Sequence, residues 1–200
     1  MPLIGITGGI ASGKSTVSRK LASLLGAKLF DADACARSLT DSDPEVRQQI
    51  AQKFGSGLFN QKLELDRSKL RAMVFRDDAL RIALESILHP RIRANWISEA
   101  ADSKAVGSWF LVDIPLLFET GAEKDVDGVL TVACSVSTQL QRLTQGRGLD
   151  PNMAKNIMQT QWPASRKMEK ADHVIWSDGS LDALQAQVEQ AVQILKRHYE

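Results

Sequence analysis

The stretch GGIASGKST, at positions 8–16, contains glycine, lysine and serine at the spacing G-x-x-x-x-G-K-S. Gly8, Gly9 and Gly13 permit a tight backbone nest whose N–H groups can surround phosphate oxygens. The ammonium group of Lys14 can reach the outer phosphates of a bound nucleotide. This combination predicts a phosphate-binding loop (P-loop) for a purine nucleoside triphosphate.

The flanking sequence has the order that such a loop requires, with a strand before it and a helix after it. The apolar run PLIGIT, at 2–7, predicts a buried strand, and the segment from Lys14 to Leu25 is amphipathic. The Ser15 hydroxyl, at the start of that helix, can ligate Mg²⁺, and the helix N-terminus favours an anion. The residues expected to bind the nucleotide are Gly9, Ala11, Ser12, Gly13, Lys14, Ser15 and Thr16.

The sequence lacks the further motifs of two common classes of P-loop protein. A GTPase would show D-x-x-G after the third core strand and N-K-x-D for guanine, but Asp113 begins DIPLLFE and N-K-x-D is absent. A motor ATPase usually has a glutamate directly after this aspartate, where the chain has Ile114. These differences favour a small phosphotransferase, in which a bound acceptor replaces water.

Two carboxylates, Asp31 and Asp33, lie in LFDADACAR at 29–37, soon after the P-loop. Asp31 ends a predicted strand and can position the loop that follows. Asp33 has two interpretations of equal weight on the residues alone. It either caps the helix predicted from Ala34 or accepts a proton from a group that is being phosphorylated.

The composition is that of an ordinary globular chain. Its 200 residues, with 44% hydrophobic and 24% charged residues, suit one α/β domain with insertions. The net charge of +1 gives no global reason to expect nucleic acid or a membrane surface as a partner. We expect neither a signal peptide, because no basic n-region opens the chain, nor a membrane span. Cys35 and Cys134 are far apart, as free thiols of an intracellular protein would be, and we expect a cytoplasmic location.

Short apolar runs alternate with amphipathic segments, which predicts an α/β fold with a five-stranded, mainly parallel sheet flanked by helices. The predicted strands are 2–7, 27–31, 108–113, 128–134 and 173–176. Helical periodicity from Pro44 to about Ser103, interrupted at Pro90, predicts a helical insertion between the second and third strands. A further helix is expected from about Ser137 to Gln145, and the polar, basic stretch at 146–171 predicts a mobile flap.

Five stretches of the chain together resemble the dephospho-coenzyme A kinases in order and spacing. They are TGGIASGKST (7–16), DADACAR (31–37), HPRIR (89–93), DIPLLFE (113–119) and ADHVIWSDGS (171–180). This family uses ATP to phosphorylate the ribose 3′-hydroxyl of dephospho-CoA, which gives CoA in the last step of its biosynthesis. The resemblance therefore implies ATP as the co-substrate, Mg²⁺ as the metal and dephospho-CoA as the acceptor.

The resemblance also implies roles for the residues on the acceptor side. Asp33 corresponds to the catalytic base, and Arg37, one helical turn later, either touches the acceptor or pairs with Asp33 or solvent. His89 and Arg93 correspond to the acceptor-binding motif, in which Arg93 can bind the diphosphate of dephospho-CoA. A surface arginine beside a helix-ending His-Pro is the alternative interpretation of that motif.

On the nucleotide side, Asp113 ends the third core strand at the position of a carboxylate that holds Mg²⁺ through water, together with Ser15. Arg142 corresponds to an arginine over the ATP phosphates that neutralises charge on the transferred group. Directly after Asp113, Leu116 and Leu117 are implied to line the acceptor pocket, although such an apolar run is also typical of a core. The residues implied to be catalytic are Asp33, Lys14 and Arg142.

Two departures from the family pattern concern the nucleotide site. The family usually shows R-L-x-x-R, with the second arginine at position 146, whereas this chain has Gly146 followed by Arg147. Near the C-terminus the usual V-I-x-N-x-G reads VIWSDG, with Ser177 in place of asparagine. We expect altered contacts and retained activity there, because backbone groups can also bind the adenine.

The implied organisation is a single P-loop kinase domain over 1–200. It comprises a core (1–40, 106–145 and 172–200), a helical acceptor-binding subdomain (41–105) and a small lid (146–171). Two alternatives stay open: another small-molecule or nucleoside monophosphate kinase on the same core, and a nucleotide-dependent switch that uses the P-loop as a sensor. Small molecules are the expected partners, with no nucleic acid and no membrane, and the sequence leaves the oligomeric state open.

Overall fold

The computed structural model describes residues 2–60 and 64–200. The chain divides into two compact units. The core unit is formed by the chain up to Asp31 together with Glu99–Glu200, and the helical unit is Ala32–Ser98. The predicted boundaries of the insertion and of the lid stay predictions.

The core unit is built on a five-stranded sheet whose neighbouring strands all pair in parallel, in the order β2-β3-β1-β4-β5. The strands are β1 (Leu3–Gly8), β2 (Lys28–Asp31), β3 (Phe110–Asp113), β4 (Gly128–Ala133) and β5 (His173–Trp176). This confirms the predicted five-stranded α/β fold. In such sheets ligands bind outside the carboxyl ends of the strands, which here include Gly8, Asp31 and Asp113.

Nine α-helices are found over the described residues. They are α1 (Lys14–Leu25), α2 (Ala32–Ser42), α3 (Pro44–Phe54), α4 (Arg67–Arg76), α5 (Asp78–Ala105), α6 (Val136–Gln141), α7 (Pro151–Gln159), α8 (Ala164–Lys170) and α9 (Leu181–Tyr199). Short 3₁₀ turns occur at Ser56–Leu58 and Ala122–Asp125, and a π turn occurs at Arg142–Gly146. Among these elements, no helix combines the length and the apolar content needed to cross a bilayer.

The hydrophobic residues at the centre of the core unit lie between the sheet and the two helices α1 and α9. All six residues of β4 are buried, as expected for a parallel strand covered on both faces. Val17 and Leu21 of α1 pack with Val188 of α9 in the same apolar cluster as the strand residues. This packing fixes the position of α1, and therefore of the loop that precedes it.

The helical unit has an apolar core of its own. It contains Val46, Ile50, Phe54, Leu58, Leu70, Ile87 and Leu88. The helix α3 begins where the Asp43 carboxylate accepts hydrogen bonds from the N–H groups of Glu45 and Val46 at 2.9 and 3.0 Å, with Pro44 in the first turn.

The helix α5 runs without a break from Asp78 to Ala105 and passes through Pro90. The expectation that Pro90 interrupts or ends this helix is wrong. A proline inside a helix removes the hydrogen bond to the carbonyl four residues earlier, here that of Ser86, and because Ser86 is exposed water can bind that carbonyl instead. His89 and Arg93 therefore lie on one continuous helix.

Candidate active site

The P-loop joins β1, which ends at Gly8, to α1, which begins at Lys14. Gly13 has a φ of 88°, in the left-handed region, and it forms the N-cap of α1. Ala11 also has a positive φ, of 59°, a conformation that costs a non-glycine residue about 1–3 kcal/mol. Among the described residues no side chain caps α1, and a helix N-terminus without a side-chain cap favours an anion.

Two glycines of the motif lie where an added Cβ atom would be too close to a neighbouring atom. A Cβ atom on Gly8 would collide with the carbonyl oxygen of Val132, at the end of the neighbouring strand β4. A Cβ atom on Gly9 would collide with the side-chain amide of Gln139. The loop is therefore packed closely against β4 and α6.

Lys14 and Asp113 form an ion pair at the carboxyl edge of the sheet. Asp113 is 3% exposed, and its second carboxylate oxygen accepts a hydrogen bond of 2.7 Å from the Ser18 hydroxyl. A buried carboxylate is stable when its oxygens are paired in this way. The register of β2 and β3 places Asp31 opposite Asp113, so the two aspartates end adjacent strands.

Substituting Ser18 by alanine is expected to destabilise the protein by about 1–3 kcal/mol, because one oxygen of the buried Asp113 carboxylate loses its hydrogen-bond donor. Urea unfolding followed by circular dichroism measures this change. Ser23→Ala, at an exposed position of the same helix, is the control and is expected to stay close to the parent protein. Equal stabilities of the two variants would contradict the prediction.

Arg142 lies against the P-loop and reaches the C-terminal end of β5. Its guanidinium donates to the carbonyl oxygen of Ala11 at 3.1 Å and to the hydroxyl of Ser177 at 3.0 Å. It also donates to the carbonyl oxygen of Ser177 at 2.6 Å. Ser177 is buried and its hydroxyl donates to the carbonyl oxygen of Ser12 at 2.5 Å. Ser177 is thus bound directly to the phosphate loop.

The helix after β4 differs from the prediction in its second half. The α-helix α6 ends at Gln141 and continues as a π turn from Arg142 to Gly146, whereas an α-helix was expected to Gln145. A π turn accommodates one extra residue within a helix. Arg147 directly follows this wide turn.

The predicted acceptor-side residues lie on two helices of the helical unit. Asp33 lies in the first turn of α2, which begins at Ala32, so it is not the N-cap residue of a helix from Ala34. Arg37 lies one turn later on α2, and His89 and Arg93 lie on α5.

The two helices approach each other between Cys35 and Asn95, where the side-chain amide of Asn95 donates to the Sγ atom of Cys35 at 3.4 Å. Arg67 of α4 holds the other end of α2, because its guanidinium donates to the hydroxyl of Thr40 at 2.8 Å and pairs with Asp41 at 2.7 Å. The first turn of α2 thus has a fixed neighbour within this unit.

Burial lowers the pKa of His89 below its ordinary value of 6.5, and Glu85 acts in the opposite direction. As the pH falls through 6.5, the unfolded chain takes up a proton that the folded chain binds less well, so stability is lost. His89→Gln is expected to lose less stability than the parent protein between about pH 7.5 and about pH 5. Urea unfolding at the two pH values measures the loss of unfolding free energy in each protein, and equal losses in the two proteins would contradict the prediction.

Comparison with known proteins places these features in one family. The family model described as dephospho-CoA kinase matches residues 2–183. The dephospho-CoA kinase of Chlorobaculum tepidum is 39% identical over 198 residues, covering 96% of this chain and 94% of the relative. The chain belongs to the dephospho-CoA kinase family. The dephospho-CoA kinase of Geobacillus kaustophilus is likewise 39% identical, over 92% of both chains.

Solved structures agree with this family membership. A Thermus thermophilus protein superimposes with a TM-score of 0.77 at 31% identity, covering 100% of this chain and 98% of that one. The dephospho-CoA kinase of Campylobacter jejuni gives a TM-score of 0.72 at 27% identity, covering 99% and 98% of the two chains. The shikimate kinase of Acinetobacter baumannii, at 16% identity and a TM-score of 0.59, shares the fold and covers 100% and 95%. This dephospho-CoA kinase family member is therefore a kinase of the P-loop class, with ATP as co-substrate.

In this dephospho-CoA kinase family member, the segment predicted as a lid is tied to the core at its C-terminal end. Lys167 of α8 is fully buried, and its ammonium donates to the Pro115 carbonyl at 2.6 Å and pairs with Glu119 at 2.9 Å. Burial lowers the pKa of Lys167, and Glu119 acts against this shift. The backbone N–H of Trp162 donates to the same carboxylate at 2.9 Å. In the loop that these contacts hold, Leu117 is fully buried and Leu116 is partly exposed.

Sequence reasoning missed several residues that bind the P-loop or Asp113. Ser18 lies one helical turn after Lys14, and this spacing on an amphipathic helix was the available signal. Gln139 and Gln161 bind the P-loop backbone from residues far along the chain. Glutamine in a polar segment carries no motif, so these two contacts had no signal in the sequence.

Proposed function

We propose that this chain transfers the γ-phosphoryl group of ATP to the ribose 3′-hydroxyl of dephospho-CoA, which gives CoA and ADP. The observation that carries this proposal is the family match over residues 2–183, which includes an intact P-loop. The relatives matched over more than nine-tenths of the chain are named for this activity.

The reaction requires one bond to form and one to break. The ribose 3′-oxygen attacks the γ-phosphorus, the bond from this phosphorus to the β–γ bridging oxygen breaks, and ADP leaves. The proton of the hydroxyl passes to the Asp33 carboxylate, which is also the group that orients the attacking oxygen. Asp33 is suited to this role because it lies in the first turn of α2, where its backbone is held in a regular helix.

Lys14 and Arg142 bind the phosphate groups of ATP in this proposal. The Lys14 ammonium pairs with Asp113, and the Arg142 guanidinium binds carbonyl oxygens and a hydroxyl at the rim of the P-loop. Phosphate oxygens carry more negative charge than the neutral acceptors of Arg142, and a triphosphate carries more charge than the single Asp113 carboxylate, so it attracts both cations strongly. Because a guanidinium has five N–H donors, Arg142 can bind the triphosphate while it keeps its hydrogen bond to Ala11. Together with Lys14 it would stabilise the charge that develops on the γ-phosphoryl group.

Ser15 and Asp113 would hold Mg²⁺. This ion is usually bound by one or two protein oxygens together with substrate phosphates and water. The Ser15 hydroxyl is exposed at the start of α1, and Asp113 already accepts a cationic partner from the P-loop side, so the donor set fits the ion. When bound, Mg²⁺ would neutralise charge on the β- and γ-phosphates.

For the acceptor we propose Arg37, His89 and Arg93 as the polar contacts and Leu116 and Leu117 as apolar ones. An arginine can bind the diphosphate of dephospho-CoA through two parallel hydrogen bonds. Leu116 is the more accessible of the two leucines. A cytoplasmic location and small-molecule partners complete the proposal; the net charge of +1 gives no electrostatic reason for nucleic acid or a membrane surface as a partner.

The test supplies ATP and Mg²⁺ with a panel of acceptors and follows the release of ADP. Turnover that requires dephospho-CoA supports the proposal. Equal rates with AMP or with uridine nucleotides would assign the chain to another acceptor class. Nucleotide binding without transfer to any acceptor would favour the switch. Identification of the product by mass spectrometry excludes simple ATP hydrolysis as the source of ADP.

A further inference from the structure

The backbone of Ile10, in the middle of the P-loop, is bound by a glutamine on each of its polar groups. Its N–H donates to the Oε1 atom of Gln161 at 2.8 Å. Its carbonyl oxygen accepts from the Nε2 atom of Gln139 at 2.8 Å. A backbone N–H can serve as a donor alone and a carbonyl as an acceptor alone, so each partner fixes which end of the glutamine amide faces the loop. Gln139 is therefore a donor and Gln161 an acceptor.

The carbonyl oxygens that follow Ile10 are bound in the same manner. The oxygen of Ala11 accepts from Arg142 at 3.1 Å, and the oxygen of Ser12 accepts from Ser177 at 2.5 Å. A carbonyl oxygen repels a phosphate group, whereas a backbone N–H attracts it. Side-chain donors that hold these carbonyl oxygens favour the loop conformation in which N–H groups face the anion.

Gln139 is well placed to impose this conformation. Its side chain is 8% exposed, and its amide fills the space that a Cβ atom on Gly9 would need. The residue after Ile10 is Ala11, with its positive φ of 59°. An unfavourable backbone conformation of this kind persists when the surrounding contacts determine it. The glutamine amides supply such contacts directly beside it.

Gln161 adds a connection to another part of the core unit. It lies between α7 and α8, and the next residue, Trp162, donates its N–H to Glu119 in the loop after β3. The short connection from α7 to α8 thus binds the P-loop at one residue and the β3 loop at the next. A displacement of this connection would release the Ile10 N–H.

We propose that Gln139 and Gln161 are positioning residues for ATP, which bind both polar groups of Ile10 so that other N–H groups of the P-loop face the triphosphate. Gln161 further couples the shape of the P-loop to the connection between α7 and α8. This proposal rests on the proposed function in one respect, namely that ATP is the nucleotide bound.

Gln139 donates to Ile10 whereas Gln161 accepts from it, and this difference provides a test. Gln139→Glu and Gln161→Glu each add one negative charge beside the same residue. The carboxylate of Q161E retains an acceptor for the Ile10 N–H, whereas that of Q139E cannot donate to the Ile10 carbonyl. Calorimetry without an acceptor measures the dissociation constant of Mg-ATP. We expect it to rise about tenfold for Q139E, and the rise for Q161E to be several times smaller. The kcat at saturating ATP is expected to change less than the KM for ATP in both.

Matched variants separate this role from a general structural one. Gln139→Met and Gln161→Met remove either hydrogen bond without adding charge, and each is expected to weaken ATP binding about fivefold. Gln193→Glu, exposed on α9, adds the same charge elsewhere and is expected to bind ATP as the parent protein does. A merely structural glutamine would lower the thermal midpoint without changing the dissociation constant of the folded protein.

Dissociation constants for Q139E and Q161E within twofold of each other would overturn the proposal, as would methionine variants that bind ATP as tightly as the parent. If Q139E does not fold, the two methionine variants, Q139M and Q161M, decide the outcome by themselves. Binding is measured with ATP alone, so failure to phosphorylate dephospho-CoA would contradict the proposed function and leave this inference standing.

Discussion

Asp33→Asn is expected to lower kcat about 10²–10⁴-fold while the dissociation constant of Mg-ATP stays near its original value. Asparagine has the shape of aspartate but cannot take up the proton of the attacking hydroxyl. The substitution lies in the helical unit, in the first turn of α2, whereas the P-loop contacts lie within the core unit. Single-turnover phosphorylation of dephospho-CoA, together with calorimetric titration of ATP, measures the two quantities.

Asp31 offers a matched control for this prediction, since it lies two positions earlier and ends β2 opposite Asp113. Asp31→Asn makes the same chemical change at a residue assigned to positioning, and its kcat is expected to fall much less than that of Asp33→Asn. The assignment of Asp33 as the base would be wrong if its asparagine variant stayed within a few-fold of the parent, or if Asp31→Asn were the more damaging change.

Lys14→Ala is expected to lower kcat about 10²–10³-fold and to weaken ATP binding at the same time. Lys14 is the cation that the P-loop offers to the outer phosphates, both when the nucleotide binds and when charge develops during transfer. Its loss therefore affects the ground state and the transition state, in contrast to the loss of Asp33. Steady-state kinetics at varied ATP concentration separates the two effects.

Lys14→Ala also removes the ammonium that pairs with the buried Asp113 carboxylate. An uncompensated buried charge costs about 3–5 kcal/mol, and the low end is expected here because Ser18 still donates to that carboxylate. Lys20→Ala is the control, because Lys20 lies on the same helix and binds Gln185 of α9 instead of the P-loop. A Lys14 variant with the ATP affinity and stability of the control would contradict the assignment.

Added ATP should protect the parent protein against urea and protect Lys14→Ala much less.

Local patterns determined much of the fold. Each predicted strand lies on an observed strand, because runs such as GVLTVAC are too apolar to be stable outside a sheet that is covered on both faces. The phosphate loop was also predictable, since Gly8, Gly13 and Lys14 follow a strand at a spacing that few other functions require. The comparisons confirm the dephospho-CoA kinase family that five short motifs indicated.

Helix continuity and helix type were less predictable. Pro90 indicated a break, yet α5 continues through it, because the proline removes one hydrogen bond, to the carbonyl of the exposed Ser86, that water can replace. The π turn at Arg142–Gly146 had no signal of its own in the sequence, because a helix with one inserted residue has the same kinds of residue as an ordinary α-helix. Both features depend on how the helix packs along its length, which periodicity does not describe.

The sequence by itself determined the elements whose causes are local: the glycine nest, the lysine that follows it, the buried strands and the carboxylates at strand ends. The tertiary structure decided which distant side chains meet that nest. Gln139, Arg142, Gln161 and Ser177 all bind backbone atoms of residues 10–12, across more than a hundred intervening positions. Such contacts depend on the order of strands in the sheet and on the position of α8 against β4, and no local pattern of residue types records them.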